Sequence, residues 1–285
     1  MKVLAATDGS KHGRWAIEWL AQLPFLVQPT VRVLHVVDVA GLRAPFMVQP
    51  VIVGTERYLQ AEVKRMETAA KATKKQSEDV LAALGLGGTV TVERGAVAAT
   101  IVRHARRGVG LLAIGSRGLD ALDRFMLGST SNHAIHHAPC SVLVVKEAPK
   151  PVRQIVLAID GSPASDKAVR FLVRTINPTP GGPDREPLMV TVVHVLPYLK
   201  YPELREAGRA VAQRVVDKVA KAGFQVVEAV RLGKPADEIL TVAKQHKADL
   251  IVTGAKGLGA IGRVLLGSVS TRVVQHADCS VLVVR

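Results

Sequence analysis

The chain is poor in cysteine and in aromatic residues and has no long apolar run, and each shortage excludes a class of protein. Two cysteines in 285 residues exclude a disulfide-stapled scaffold. Aromatic residues make up 4% of the chain, which argues against the base-stacking surfaces of single-strand nucleic-acid binders. No run of about 18 apolar residues is present, and Asp8 interrupts the apolar start, so we expect neither a membrane span nor a secretory signal. These features predict a cytoplasmic protein with buried, reduced cysteines.

Acidic residues are also in short supply, which leaves a formal net charge of +14. A basic surface attracts nucleic acid, anionic lipid and nucleotides alike. However, the lysines and arginines are scattered over predicted helices, and in the richest segment, residues 62–75, acids alternate with bases. This pattern favours a solvated surface over a nucleic-acid partner, although the charge alone leaves a polyanion partner open.

A glycine motif occurs twice: Gly-x-x-Gly, nine residues, then Gly-Ser. The first copy begins at Gly115 and the second at Gly254, and the two copies are 139 residues apart, as are Cys140 and Cys279. This constant separation predicts a tandem duplication. We expect a first domain over residues 1–146, a linker over 147–152 and a second domain over 153–285, and 48% hydrophobic residues are ample for a core in each.

Strand and helix patterns alternate along each half. In the first half we predict strands at Lys2–Thr7, Val31–Val37, Thr89–Arg94, Leu111–Gly115 and Val142–Val145, and helices at Ser10–Leu23, Glu56–Leu84, Val97–Arg107 and Ser129–His137. The second half repeats the order. Such alternation predicts an α/β fold in which each domain is an open five-stranded parallel sheet with helices on both faces. The first half has an insertion at Ala40–Thr55, which could be a lid, an interface arm or an ordinary loop.

Three features of each half fall at the carboxyl ends of predicted strands, where open α/β sheets bind ligands. The first strand ends in an Asp-Gly-Ser sequence, the fourth ends in the Gly-x-x-Gly motif, and the Gly-Ser loop enters a helix. Glycines let a backbone approach a ligand closely, and a helix N-terminus suits phosphate oxygens. Taken alone, Asp-Gly-Ser could be an Asx turn with a helix cap, and Gly-x-x-Gly a simple turn. Their joint repetition favours two nucleotide sites.

The full pattern resembles the universal stress protein family in its tandem, ATP-binding form. The features that carry the resemblance are the Asp after the first strand, the His-Val pair of the second, the glycine motif and the terminal Cys-Ser-Val-Leu-Val-Val strand. The resemblance implies that each half binds ATP, with or without Mg²⁺. The implied site residues are Thr7, Asp8 and Val36 around adenine, Gly115, Arg117 and Gly118 at the ribose and phosphate, and Gly128, Ser129, Thr130 and Ser131 at the phosphate tail, with the second-half equivalents Ile159, Asp160, Val195, Gly254, Lys256, Gly257, Gly267, Ser268, Val269 and Ser270.

The two halves differ at two positions that bear on this interpretation. Asp249 precedes the fourth strand of the second half, where the first half has Gly110, and we expect this to affect a structural cap. Val269 replaces the hydroxyl of Thr130, so we expect the first site to be the fuller. The resemblance also implies that the two halves form a pseudo-dimer through their last strands, and a further homodimer is left open.

The sequence identifies no catalytic residue and no metal ligand set. The Walker A motif is absent, which excludes a P-loop ATPase. His133, His136 and His137 cluster on one predicted helix, and we interpret them as a solvated face. Three function classes stay open: an ATP-binding stress-response or signalling regulator, which we favour; a slow ATP hydrolase or nucleotidyl transferase; and a basic adaptor for polyanions.

Overall fold

The computed structural model describes residues 1–39, 55–118, 127–182, 186–196, 202–257 and 266–285, with the side chains of 55–58 and 202–205 also left out. The Ala40–Thr55 insertion therefore lies almost wholly outside the described residues. In the first half, the elements are β1 Lys2–Thr7, α1 Lys11–Gln22, β2 Thr30–Val37, α2 Thr55–Ala83, β3 Gly88–Arg94, α3 Val97–Ala105, β4 Leu111–Gly115, α4 Ser129–His137 and β5 Ser141–Val145.

The second half repeats this order. Its elements are β6 Gln154–Ile159, α5 Pro163–Thr175, β7 Met189–Leu196, α6 Pro202–Lys221, β8 Gln225–Leu232, α7 Pro235–Gln245, β9 Leu250–Gly254, α8 Ser268–His276 and β10 Ser280–Val284. The predicted elements are confirmed, and their ends agree within two residues.

Local chemistry explains where the first helix of each half begins. The Ser10 hydroxyl accepts a hydrogen bond from the Gly13 amide at 3.1 Å, and Ser162 accepts one from Ser165 at 3.2 Å. A side-chain oxygen at this position satisfies an amide that has no partner inside the helix.

The central strands are continuous apolar runs because helices cover both faces of the sheet. Every residue is buried in β4, β5, β9 and β10.

The two predicted sheets join into one sheet of ten strands, in the order β3-β2-β1-β4-β5-β10-β9-β6-β7-β8. All pairs are parallel except β5 with β10, which run antiparallel across the middle. Val144 faces Val281, Leu143 faces Leu282 and Val142 faces Val283. The last strand of each half is thus paired with its counterpart, and neither apolar edge is exposed.

Two apolar layers cover the faces of the sheet. One layer packs α1, α2, α5 and α6 against one face, and the other packs α3, α4, α7 and α8 against the opposite face. Trp19 of α1 is fully buried in the first layer, and its indole N–H donates to the Glu147 carbonyl oxygen at 3.0 Å. The two halves also touch beyond α1 and α5, where Phe25 and Ile176 form an isolated antiparallel bridge.

Both cysteines are buried and free. Burial raises the pKa of Cys279 to about 12, so its thiol is neutral near pH 7 and behaves as a small apolar side chain. Among the helices that the structure describes, none is long and apolar enough to cross a membrane.

Candidate functional site

A cavity of about 570 Å³ opens in the first half, at the carboxyl ends of β1, β2 and β4. The structure brings all ten residues predicted for the first site to its wall. They are Thr7, Asp8, Val36, Gly115, Arg117, Gly118, Gly128, Ser129, Thr130 and Ser131. The parallel sheet explains this convergence, because the ends of neighbouring strands meet at one edge.

Asp8 forms the turn at the floor of the cavity. Its Oδ1 accepts a hydrogen bond from the Ser10 amide at 2.9 Å, and the Gly9 amide donates to the Thr7 hydroxyl at 3.2 Å. Gly9 has a φ of +83°, which other residues rarely adopt. The Asp-Gly-Ser sequence is therefore an Asx turn with a helix cap, as its local pattern suggested, and the same turn presents Asp8 to the cavity.

In each half a histidine of the second strand, β2 or β7, contacts the end of the first strand, β1 or β6. His35 Nδ1 lies 2.9 Å from the Thr7 carbonyl oxygen, and His194 Nδ1 lies 3.1 Å from that of Ile159. The contact fixes the position of Val36 or Val195 beside the end of the first strand. The His-Val pair is thus a positioning device, and the histidine side chains are buried.

Glycines of the motif serve two different purposes. A Cβ on Gly115 would lie 2.7 Å from the His12 carbonyl oxygen, and one on Gly118 would lie 2.6 Å from Asp8 Oδ2. Packing against backbone therefore requires glycine at position 115, whereas a Cβ at position 118 would displace the Asp8 carboxylate. A Cβ on Gly128 would meet nothing closer than 3.6 Å, and its φ is −60°. The fold therefore does not require glycine at position 128. A ligand that approaches the backbone at this position would require it.

The first turn of α4 offers main-chain donors to the cavity. Gly128 is the N-cap and supplies no side-chain hydrogen bond, and the first helical bond runs from the Asn132 amide to the Gly128 carbonyl at 2.9 Å. The amides of residues 129–131 precede that bond, in the part of a helix that lacks internal acceptors. Such amides, together with the positive end of the helix, form a favourable site for an oxyanion.

The Ser131 hydroxyl is hydrogen-bonded within the protein. It donates to the Gly115 carbonyl oxygen at 2.6 Å, and Ser270 repeats the bond to Gly254 at 2.7 Å. Both serines are buried. Only their amides are left for a ligand, and their side chains tie the start of α4 or α8 to the end of β4 or β9.

The second half places its predicted residues on the equivalent elements. Ile159 and Asp160 end β6, Val195 lies on β7, and the glycine motif links β9 to α8. A Cβ on Gly257 would lie 2.6 Å from Asp160 Oδ2, as in the first half, and one on Gly267 would meet nothing closer than 3.5 Å. The remaining members are Gly254, Lys256, Ser268, Val269 and Ser270. Gly267 is again a cap without a side-chain bond.

Sequence reasoning missed one wall of the cavity. Met66, Ala69 and Thr73 of α2 and Val97 and Ile101 of α3 line it. The α2 residues are spaced three and four apart, so they share one helix face. The spacing of apolar residues along α2 could identify this helix face from the sequence. It could not show that the face packs over the ends of the strands that form the cavity.

Asp249 confirms the structural reading of the difference between the halves. Its Oδ2 accepts from the Arg153 and Gln154 amides, both at 2.8 Å, and its Oδ1 lies 3.0 Å from Lys150 Nζ. These contacts hold the start of β6, at the sheet edge opposite the motif. In the first half Gly110 has no side chain to make these contacts. The Met1 side chain packs there instead, and a Cβ on Gly110 would lie 2.8 Å from it.

The charged residues that line the cavity are Arg117, Asp8 and Asp38. Burial lowers the pKa of the neighbouring His12 below its usual value, and the positive charges of Arg117 and Lys11 lower it further. Among the residues the structure describes, no group of three or more His, Cys, Asp or Glu is placed to hold a metal ion. His133 and His137 are exposed on α4, with ring centroids 4.2 Å apart.

The fold and the repeated motif define a class: a tandem α/β protein built from two doubly wound halves. The family model for the universal stress protein family matches residues 1–146 and 151–285. The chain therefore belongs to the universal stress protein family.

Two relatives span almost the whole chain. A universal stress protein of Mycolicibacterium smegmatis is 30% identical over 305 aligned residues, covering 99% of this chain and 96% of that protein. The crystal structure of a universal stress protein from Archaeoglobus fulgidus covers 100% of this chain and 96% of its own, with a TM-score of 0.70 and 18% identity. It is similar in fold. A family protein from Arabidopsis thaliana with AMP bound covers 46% of this chain, with 23% identity and a TM-score of 0.34, too low to inform this site.

Proposed function

We propose that the chain binds ATP at the carboxyl edge of each half of the sheet and acts as a stress-response or signalling regulator through nucleotide-dependent conformation or partner binding. The observation that carries the proposal is the cavity of the first half, which joins an apolar slot to an uncapped helix N-terminus and an arginine. Its volume of about 570 Å³ is within the usual range for small-molecule sites.

The apolar part of the cavity suits a base. Val36 on β2, Met66 on α2 and Ile101 on α3 line it, and Asp8 with its turn supplies the polar edge. A flat heterocycle gains from apolar contact on its faces and from hydrogen bonds at its rim. An adenine fits this division of surfaces.

The other part of the cavity suits a polyphosphate. The amides of residues 129–131 belong to the first turn of α4, and Arg117 lines the same space. Backbone amides and an arginine are the donors that phosphate oxygens prefer. At Gly128 the backbone has no Cβ to keep a phosphate away.

The second half supports a weaker version of the same site. Lys256 stands where the first half has Arg117, and Lys presents a point charge without the bidentate fork of Arg. Val269 stands in place of Thr130 and keeps its amide but lacks the hydroxyl. We therefore expect two sites, with the first the tighter.

Isothermal titration calorimetry of ATP, with and without Mg²⁺, tests the proposal. Gly128→Val should abolish the first site and Gly267→Val the second, with the fold intact, since neither Cβ meets a close neighbour. Gly87→Val is the matched control, because position 87 has open space and no positive φ. Equal binding by the Gly128→Val variant and its control would refute the assignment of the first site.

A further inference from the structure

Each helix that opens a proposed phosphate site ends against the opposite half of the molecule. We call α4 and α8 the cradle helices. Their first turns form the proposed sites. Helix α4 packs on β5 and α8 on β10, and these two strands pair at the antiparallel junction. A basic residue follows each of the two paired strands: Lys146 comes directly after β5, and Arg285 comes directly after β10.

Arg285 reaches across to the end of α4. Its guanidinium donates to the Ile135 carbonyl oxygen, and its main-chain amide donates to the Ser141 hydroxyl at 3.4 Å. The helical partner of the Ile135 carbonyl would be the amide of residue 139, which is a proline and has none. An arginine from the second half thus satisfies an acceptor that the first half leaves open.

Lys146 makes the reciprocal contact. Its Nζ donates to the Ala277 carbonyl oxygen at 2.5 Å and to that of Gln275 at 3.2 Å, at the end of α8. Its main-chain amide donates to the Ser280 hydroxyl at 3.3 Å. The two cations are therefore equivalent under the pseudo-twofold axis, and each caps the cradle helix of the other half.

We propose that Arg285 and Lys146 are crossed positioning residues: Arg285, carried by the second half, holds the phosphate cradle of the first half in place, and Lys146 does the same for the second. The inference rests on the proposed ATP binding and extends it, because it makes each site depend on a residue of the other half.

The physical basis is the small size of the cradle helices. Helix α4 has nine residues, and only Ser131, Ala134 and Ile135 are buried. So short a helix is marginal without tertiary contacts. The Ser131 hydroxyl fixes its first turn to β4, and Arg285 fixes its last turn. A cation at the C-terminus also complements the helix dipole whose positive end faces the phosphate.

The test measures ATP affinity in single-site backgrounds. With the second site removed by Gly267→Val, Arg285→Met should weaken ATP binding at the first site about tenfold. With the first site removed by Gly128→Val, the same Arg285→Met change should leave the second site unaltered. Lys146→Met should give the opposite pattern. Arg285→Lys and Lys146→Arg should restore binding, because each places the other half's native cation at the position.

Hydrogen exchange supplies a readout that needs no nucleotide. In Arg285→Met the amides of α4 should exchange faster while those of α8 keep their rates, and Lys146→Met should reverse this. Equal losses at both sites, or no loss at either, would overturn the crossed roles. If the parent chain binds no ATP, the proposed function fails, and the exchange pattern alone then decides whether the cations anchor the helices.

Discussion

The antiparallel pair at the centre of the sheet offers a quantitative test of how the halves are joined. Val144 and Val281 face each other across the junction and are completely buried. Val→Ala removes two methyl groups, which at about 0.8 kcal/mol each, with a term for the cavity left behind, costs about 2–3 kcal/mol. Each single variant should lower the free energy of unfolding by that amount.

A double-mutant cycle then isolates the contact between the two strands. Cross-strand neighbours in contact should show a coupling energy of about 0.5–1 kcal/mol. Val193 of β7 provides the control, since it is equally buried but four strands from β5, about 19 Å away at the usual strand spacing. Its coupling with Val144 should be close to zero.

Urea unfolding, followed by circular dichroism, supplies the four free energies of each cycle. If the coupling of Val144 with Val281 is no larger than that of the control pair, the pairing of β5 with β10 is wrong. A double Val144→Lys, Val283→Lys variant would be less informative than this cycle. Both positions are fully buried in the apolar layer, so two uncompensated ammonium groups there would unfold the chain whichever strands were paired.

Two further predictions concern charged groups away from the cavity. Asp249→Ala removes two amide hydrogen bonds to a carboxylate and should lower the free energy of unfolding by about 2 kcal/mol without changing ATP affinity; a change in affinity in calorimetry would contradict its purely structural role. Burial lowers the pKa of Lys146 to about 8, below its unfolded value of 10.5, so the unfolded chain binds more protons between these pH values and the free energy of unfolding should rise with pH by up to about 1.4 kcal/mol per pH unit. The raised pKa of Cys279 opposes this pH dependence, but it is present in both proteins and cancels when the free energy of unfolding of Lys146→Met is subtracted from that of the parent chain. If this difference is flat or falls as the pH rises, the ammonium is not buried.

The secondary structure was accessible from the sequence because local chemistry specifies it. Short apolar runs bounded by turn residues, such as Leu111–Gly115, favour buried strands over helices because of their length, and Ser10 is a helix cap by type and position. The convergence of the first-half candidate residues on one cavity was also accessible from the sequence, since parallel strands bring their carboxyl ends together and the motif glycines lie there.

The rest depends on distances between parts of the chain that no local pattern encodes. The face of α2 that carries Met66 and Thr73 was periodic, but its position over the cavity is set by packing. The hydrogen bond from the Ser131 hydroxyl to a carbonyl oxygen 16 residues away leaves no trace in the sequence. The crossed contacts of Lys146 and Arg285 need the antiparallel junction to exist first.

If both glycine motifs form ATP sites, the stoichiometry of binding should show it. Calorimetric titration of the purified chain with ATP should give close to two sites per chain with micromolar-scale affinity. The Gly128→Val, Gly267→Val double variant should give none while it keeps its circular dichroism spectrum. Absence of heat from the parent chain at millimolar ATP, or unchanged binding by the double variant, would contradict the account.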